Sequence, residues 1–524
     1  MAIELNPAIL SHKVQMEAEA RPEHTVFTFE SPTGDDRIVT YGGLWTRANR
    51  LAAHYDERGI GRDDKVAILM RNLPEFVDAL VASSIGGVQL VPIDPRTRGD
   101  KLRYQLRDSD ARLVLCTDDL AGGIAEAAGE LPLLRLAAGG AGGGDELSQI
   151  LETERPTMEQ RVESPKQTHQ IIYTSGTTGD PKGVVLNLER TFMSSILAQG
   201  IFKYEPDHVL YTGLSMTHGN AQMVTCFPAI FLGNHAVISE RFTRSRIWDI
   251  ARKYGVTTFS NLGGILSGVY NMPPRDDDRD NPVRFVISAG TPQAIWQAFM
   301  DRFDVEIFEW YAAVEGGLCF KPIGEGPIGS FGKPMPGLLD VQVVREDGSE
   351  CDAAEVGELI SRPASGDAAE VTYHGNEKAS ADKTRGGWLR SGDMVHRDGD
   401  GWLFFDFRKG GGLRHNGDFV SPDYVERIVG EQDDVGEVFV YGVPASSGAP
   451  GEKDVVAAVV PFGDAPLDVG ALFAKCRRDL EPNFVPTYIQ VVDEIPKTIS
   501  EKPQERILLQ AFAADADNVH TEPA

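Results

Sequence analysis

Tyr173-Thr174-Ser175-Gly176-Thr177-Thr178-Gly179-Asp180-Pro181-Lys182-Gly183-Val184 packs four hydroxyl side chains, three glycines and one lysine into a single turn after an apolar strand. Glycines such as Gly176 and Gly179 admit backbone N–H groups close to an anion with no Cβ in the way. The hydroxyls of Thr174, Ser175, Thr177 and Thr178 add donors, and Lys182 adds a compact positive charge. The turn therefore predicts a phosphate cradle and a polyphosphate ligand. Lys182 is followed by Gly183, and Pro181 stands where the nucleotide loop of Walker-type NTPases needs glycine, so the Walker reading fails.

Outward from the cradle, apolar strands and helices alternate. Val66–Met70 reads as a strand, Pro74–Gly86 as a helix and Val88–Pro92 as a strand. The theme repeats through Val209–Gly213, a helix from about Gly219, His235–Ser239, Arg246–Tyr254 and Val256–Ser260, and again through Val283–Ser288, Pro292–Phe303 and Val305–Tyr311. This alternation predicts α/β layers with largely parallel sheets, whose ligands bind outside the carboxyl ends of strands. The Gly- and Ala-rich segment Ala121–Gly144 shows little periodicity and is expected to be a surface excursion. Three consecutive glycines, Gly410, Gly411 and Gly412, mark a break. The expected organisation is a large domain over 1–407, a hinge at 408–412 and a small α+β domain over 413–524, built from Pro422–Gly430, Val438–Val443, Val455–Val460 and Val469–Leu480.

The 524 residues are ample for several cores, and 78 acidic against 51 basic residues leave a formal charge of −27, which disfavours nucleic acid and anionic membranes as partners. Cys116, Cys226, Cys319, Cys351 and Cys476 are scattered singly, so neither a disulfide framework nor a structural zinc site is indicated. The N-terminus has no basic segment leading into an apolar core, and no apolar run of membrane-spanning length occurs. A soluble cytoplasmic protein is expected, with no integral membrane association and with a homodimer as one assembly open to it.

The cradle closely resembles the signature of the adenylate-forming superfamily: acyl- and aryl-CoA synthetases, adenylation domains of peptide synthetases, and luciferases. Its other motifs appear in order over nearly the whole chain. Ala289-Gly290-Thr291-Pro292 looks like the family segment bordering adenine. Trp310-Tyr311-Ala312-Ala313-Val314-Glu315-Gly316-Gly317 resembles Tyr-Gly-x-Thr-Glu, which implies Tyr311 against adenine and Glu315 on the magnesium ion that bridges the phosphates. Trp388-Leu389-Arg390-Ser391-Gly392-Asp393 is similar to Trp-x-x-Thr-Gly-Asp, implying that Asp393 accepts from the ribose hydroxyls, with Arg408 at the domain junction also reaching the ribose. Pro496-Lys497-Thr498-Ile499-Ser500-Glu501-Lys502-Pro503-Gln504-Glu505-Arg506 places Lys502 on the catalytic lysine, and His218 falls on the family histidine beside the acyl site.

The resemblance implies ATP, Mg2+ and coenzyme A as cofactors and co-substrates. A small-molecule carboxylic acid forms an acyl-adenylate, and a thiol then displaces AMP, with the small domain rotating between the steps. Acyl specificity is expected from Met216, His218, Asn261, Gly263, Gly264, Ala289, Gly316 and Gly317, whose glycines leave room for a bulky acid. The middle of the chain looks most like the crotonobetaine/carnitine-CoA ligase branch. Three departures from the pattern stand out: Val314 for the usual Thr, Gly411 at the hinge, and Glu501 for the Gly before the catalytic lysine. The alternatives are a free-standing adenylating enzyme that passes the acyl group to an amine or carrier protein, a luciferase-like monooxygenase, and a catalytically weak nucleotide-binding homologue. No Gly-x-Ser-x-Gly elbow supports a serine hydrolase.

Overall fold

Val66, Ala67, Ile68 and Leu69 are all buried, the pattern of a strand covered on both faces. Their strand, Lys65–Leu69, lies inside a six-stranded sheet ordered Leu133–Leu136, Ala111–Thr117, Lys65–Leu69, Gln89–Pro92, Thr168–Thr174, Lys182–Asn187. All neighbours run parallel except the last pair, in which Thr174 faces Lys182. The computed structural model describes residues 4–136, 146–174, 180–293, 295–409, 413–416, 418–432, 434–448, 452–462, 467–496 and 503–522.

A nine-stranded sheet stands beside the first. Its order is Lys333–Pro334, Gly316–Lys321, Glu306–Ala313, Phe285–Ala289, Thr258–Leu262, Val209–Thr212, His235–Ser239, Thr25–Glu30, Arg37–Thr40, parallel in the middle and antiparallel at both rims. Helix Pro74–Gly86 has proline in its first turn, Gly87 left-handed just past its end, and every residue buried. Its apolar residues join the core cluster that also takes side chains from both sheets. A four-stranded antiparallel sheet, Leu339–Val344, Gly357–Pro363, Leu389–Arg397, Leu403–Arg408, completes the large part. This is the α/β architecture expected, with a small domain following.

Segment Ala121–Gly144 departs from expectation. Helix Asp118–Ala128 and strand Leu133–Leu136 occupy its described part, and the strand pairs parallel with Ala111–Thr117 at the sheet edge. Alanine favours helix strongly enough to outweigh Gly122 and Gly123, which face open space, while Ala121 and Ile124 supply the buried side. Residues 137–144 lie outside the described residues.

In the small domain, strands Val435–Pro444, Lys453–Pro461, Tyr488–Val491 and Val519–Thr521 form one sheet. Period-2 alternation divides its faces. Val440, Val455, Ala457 and Ile489 pack against helices Pro422–Gly430 and Val469–Asp479 and against the hairpin Leu413–His415/Asp418–Val420. Tyr441, Val443, Val456 and Ala458 pack against Ile495 and Leu508 on the other face. The strand ending at Arg408 and the hairpin starting at Leu413 belong to different sheets; Gly410, Gly411 and Gly412 between them lie outside the described residues.

Two local constraints hold the large part in shape. Gly332 has φ +107° and pairs with Leu403, joining the rim of the nine-stranded sheet to the four-stranded one; a Cβ there would lie 2.0 Å from the Phe320 backbone. Glu309, buried on strand Glu306–Ala313, accepts from the N–H groups of Gly290 and Thr291 and from the Thr291 hydroxyl, which pins the turn after the neighbouring strand. Burial pushes its carboxyl up to about 7 in spite of these donors.

Gly332→Ala is expected to cost about 2–4 kcal/mol through strain and backbone overlap, read as a lower thermal midpoint. Because the carboxyl of Glu309 binds its proton more tightly in the folded chain, the stability it contributes is full below about 4.5 and is lost as pH rises towards about 7. Wild-type stability measured by urea denaturation should therefore fall relative to Glu309→Gln across that window, by on the order of 2–3 kcal/mol. A pH-independent difference would contradict this.

Candidate active site

Parallel pairing in the nine-stranded sheet aligns the carboxyl ends of strands Val209–Thr212, Thr258–Leu262, Phe285–Ala289 and Glu306–Ala313, and Tyr373, bridged to Val184 of the six-stranded sheet and bonded to Glu315, brings the end of Thr168–Thr174 to the same crevice. Ser175, Gly176, Thr177, Thr178 and Gly179 lie outside the described residues, but the two jaws of their turn, Thr174 and Lys182, face each other across a strand pair. The Lys182 ammonium sits 5.5 Å from the centre of the Tyr373 ring. The Tyr373 hydroxyl donates to Glu315 Oε1 at 2.9 Å, and Lys383 Nζ lies 3.7 Å from the same oxygen. Arg190 donates to the carbonyl of Val314. The Tyr373 hydroxyl and the Lys383 ammonium thus converge on one carboxylate, with Lys182 beside the Tyr373 ring, an arrangement suited to the charges of a polyphosphate and a hard cation.

Beyond this cluster, Tyr311 donates to Asp393 Oδ2 at 2.5 Å, with the Tyr311 ring 4.9 Å from that of Phe331. Asp393 is buried, its N–H held by Ser391 Oγ at 2.9 Å, and Arg408 stands opposite it in the strand register. Gly290, Thr291 and Pro292 form the turn that Glu309 pins, so Gly290, Thr291, Tyr311 and Asp393 come together as the sequence motifs imply.

His218 is placed by a different device. Gly213 lets the chain pass against Phe242, where a Cβ would lie 2.8 Å from backbone. Buried Asn72 then donates to Leu214 O and Ser239 O and accepts from Met216 N, fixing the loop that carries the histidine. His218 Nε2 lies 2.8 Å from Asp94 Oδ2, in a crevice where its side chain keeps about half of its exposure (48%). The His218 pKa is raised: the Asp94 hydrogen bond and charge, with Asp418 of the small domain, outweigh desolvation. Burial acts against the Asp94 carboxylate, yet His218 and Arg96 hold it far below the usual range.

Arg96 also reaches Asp418 Oδ2 at 3.3 Å, carrying the network across to the small domain. Two further ion pairs dock that domain: Lys101–Glu481 at 2.8 Å, with both side chains largely buried, and Arg427–Asp100 at 2.8 Å. Arg414 packs on Gly290, where its guanidinium would stand 2.9 Å from an added Cβ, and its charge acts on Glu309. Asp94, Arg96, Tyr373, Lys383, Glu309 and Arg414 are thus site residues that the motif reading did not single out. The run Ile93-Asp94-Pro95-Arg96, charged residues directly after a buried strand, was the visible signal.

A cavity of about 450 Å3 opens beside Glu315. Ala289, Gly316 and Gly317 of the residues read for the acyl site line it, together with Trp310 and Ala312, while its longest wall is helix Leu188–Phe202, which contributes Met193, Leu197 and Ile201. Met216, in the loop after strand Val209–Thr212, and Asn261, within strand Thr258–Leu262, are fully buried and are not on this wall; Gly263 and Gly264 open helix Gly263–Tyr270. The volume suits a small organic molecule. Among the described residues no helix is long and apolar enough to cross a membrane. Lys502 lies outside the described residues.

Residues 14–365 match the AMP-binding enzyme family, and residues 424–502 match the AMP-binding enzyme C-terminal domain. The medium/long-chain-fatty-acid–CoA ligase FadD17 of Mycobacterium tuberculosis is 29% identical over 93% of this chain and 95% of its own length. The steroid-22-oyl-CoA synthetase of Rhodococcus jostii is 28% identical over 84% of this chain and 81% of its own. Among solved structures, o-succinylbenzoate CoA synthetase from Bacillus subtilis, a double mutant bound to a product analogue, superposes with a TM-score of 0.80 at 21% identity, covering 95% of this chain and 98% of that one. The same enzyme in complex with AMP gives 0.67 at 21% identity, covering 97% and 99%. Matched in order along both its large part and its small domain, the chain belongs to the AMP-binding enzyme family, the adenylate-forming group that includes the acyl-CoA synthetases.

Proposed function

We propose that the chain is an ATP-dependent acid–CoA ligase that joins a carboxylic acid to AMP with release of pyrophosphate and then passes the acyl group to the thiol of coenzyme A, releasing AMP. The observation that carries this reading is the meeting, at one crevice, of a phosphate-facing charge cluster around Glu315, a buried carboxylate at Asp393 suited to a ribose diol, and an apolar cavity that opens beside them.

In the first half, a carboxylate oxygen attacks the α-phosphorus and the bond to pyrophosphate breaks. Negative charge grows on the phosphoryl oxygens, and cations aimed there lower the barrier. Lys182 at the jaw of the cradle serves the leaving phosphates, and Lys502 serves the α-phosphate, an assignment that rests on the resemblance of Pro496–Arg506. Glu315 fits magnesium as a single hard carboxylate ligand, and the ion, when bound, neutralises phosphate charge. In the second half the thiol attacks the carbonyl carbon and AMP leaves. The imidazole of His218, held by Asp94, stands at the crevice in which the two domains meet.

One docking geometry does not serve both halves. The small domain meets the large one through Asp418, Glu481 and Arg427, on the side of its hairpin, whereas Ile495 and Leu508, which bracket Lys502 in the chain, pack on the opposite face of its sheet. A swing about Gly410–Gly412 would exchange the faces. The better superposition on the product-analogue complex than on the AMP complex of the Bacillus subtilis enzyme supports reading the present arrangement as that of the thioester-forming half. The apolar wall and the curated relatives favour a medium- or long-chain fatty acid or a steroid side-chain acid as substrate. Five free, buried cysteines agree with a reducing cytoplasmic setting.

An acid panel with ATP, magnesium and coenzyme A should give AMP and thioester in equal amounts; ATP binding with no acid-dependent pyrophosphate release would favour a catalytically weak homologue instead. Lys502→Ala should abolish adenylation yet largely spare thioester formation from a supplied acyl-adenylate, and equal loss of both halves would refute the division of labour.

A further inference from the structure

Helix Leu188–Phe202 presents Arg190, Met193, Leu197 and Ile201 to the cavity, a stripe at helical spacing that is apolar except at its first member. Ile201 follows Arg190 by about 16 Å along the helix axis at 1.5 Å per residue. The cavity wall is therefore amphiphilic end to end. Arg190 marks the polar end, tied to the reaction centre by its bond to the carbonyl of Val314, the residue before Glu315. A second polar group shares that end: Asn220 lies next to Gly219, whose added Cβ would touch Val314 at 3.2 Å, and Asn220 Oδ1 is buried with no hydrogen-bond partner among the described residues.

Arg190 is half-buried and under-compensated. Desolvation lowers its pKa, the nearby charge of Glu315 only partly opposing the shift. Among the described residues only one of its guanidinium nitrogens, Nη2, is hydrogen-bonded, and to a backbone carbonyl. A guanidinium carries five N–H donors in a planar fork that matches the two oxygens of a carboxylate. An arginine at the head of a greasy groove, short of acceptors, is complementary to a molecule with an anionic head and a long apolar body.

We propose that Arg190 is the carboxylate-binding residue of the acyl site: its guanidinium takes the head group of an apolar monocarboxylic acid beside Glu315, and the tail of the acid runs along Met193, Leu197 and Ile201. This rests on the acid–CoA ligase reading and deepens it. Arg190 sets which end of the acid meets the nucleotide, and it excludes isosteric alcohols and amides that lack the second oxygen anion.

Decanoate and decan-1-ol provide the test, since they share a tail and differ in the head. Binding of each to the full chain is followed by tryptophan fluorescence, Trp310 being on the cavity wall. The wild type should prefer decanoate, and Arg190→Gln should lose about 10- to 100-fold in decanoate affinity, the effect of losing a charged hydrogen-bonded pair, with decan-1-ol affinity and the KM for ATP unchanged. Arg190→Lys, which keeps the charge without the fork, should fall between the two. Equal weakening of both ligands, no preference in the wild type, or a raised KM for ATP at unchanged decanoate affinity would each overturn the assignment. Acid-dependent AMP release by the wild type tests the reaction itself, so the two readings fail separately.

Discussion

Parallel pairing is the constraint from which the rest of this molecule follows. A parallel strand must be re-entered from the same end, so each crossover returns the chain across the sheet and leaves every carboxyl end on one rim. Here strands Val209–Thr212, Phe285–Ala289 and Glu306–Ala313 share that rim in the nine-stranded sheet, Thr168–Thr174 ends at the carboxyl rim of the six-stranded one, and the residues that follow them hold donors, acceptors and turns of the site. The antiparallel rims then add what parallel pairing cannot. Lys182 is brought opposite Thr174 by a reversed neighbour, and Gly316–Lys321 folds back to carry Gly316 and Gly317 onto the cavity wall.

Charge is laid over this frame unevenly. The chain is strongly acidic, yet its crevice gathers Lys182, Arg190, Lys383 and Arg96 around a few carboxylates. Each of those carboxylates has a stated partner, as a group withdrawn from water must. Asp94 serves twice, holding both His218 and Arg96, and through Arg96 it feels Asp418 on the other domain. The protonation of one histidine and the position of a whole domain are thereby linked by a short run of charges.

Much of this was legible in the chain. Helix Pro74–Gly86 was readable to the residue because proline, a buried run and glycine punctuate it. Apolar runs located the strands, and the ordered motifs brought Gly290, Thr291, Tyr311 and Asp393 into view before any coordinates did. What escaped is what depends on long-range pairing. Glu309 reads as a polar residue in an apolar strand until its neighbour turns Gly290 and Thr291 towards it. Arg190 lies in a helix that none of the motifs touches, and only the cavity beside its apolar stripe brings it into view. Ala121–Gly144 was misread because glycine content was weighed above the helix preference of alanine.

The sheet of the small domain is one strand-layer thick, with Val455, Ala457 and Val459 pointing one way and Val456, Ala458 and Val460 the other. The two surfaces that would address the crevice in turn are thus printed on opposite sides of a single page. On the proposed reading, presenting one withdraws the other, and that mutual exclusion is written into the alternation of one β-strand.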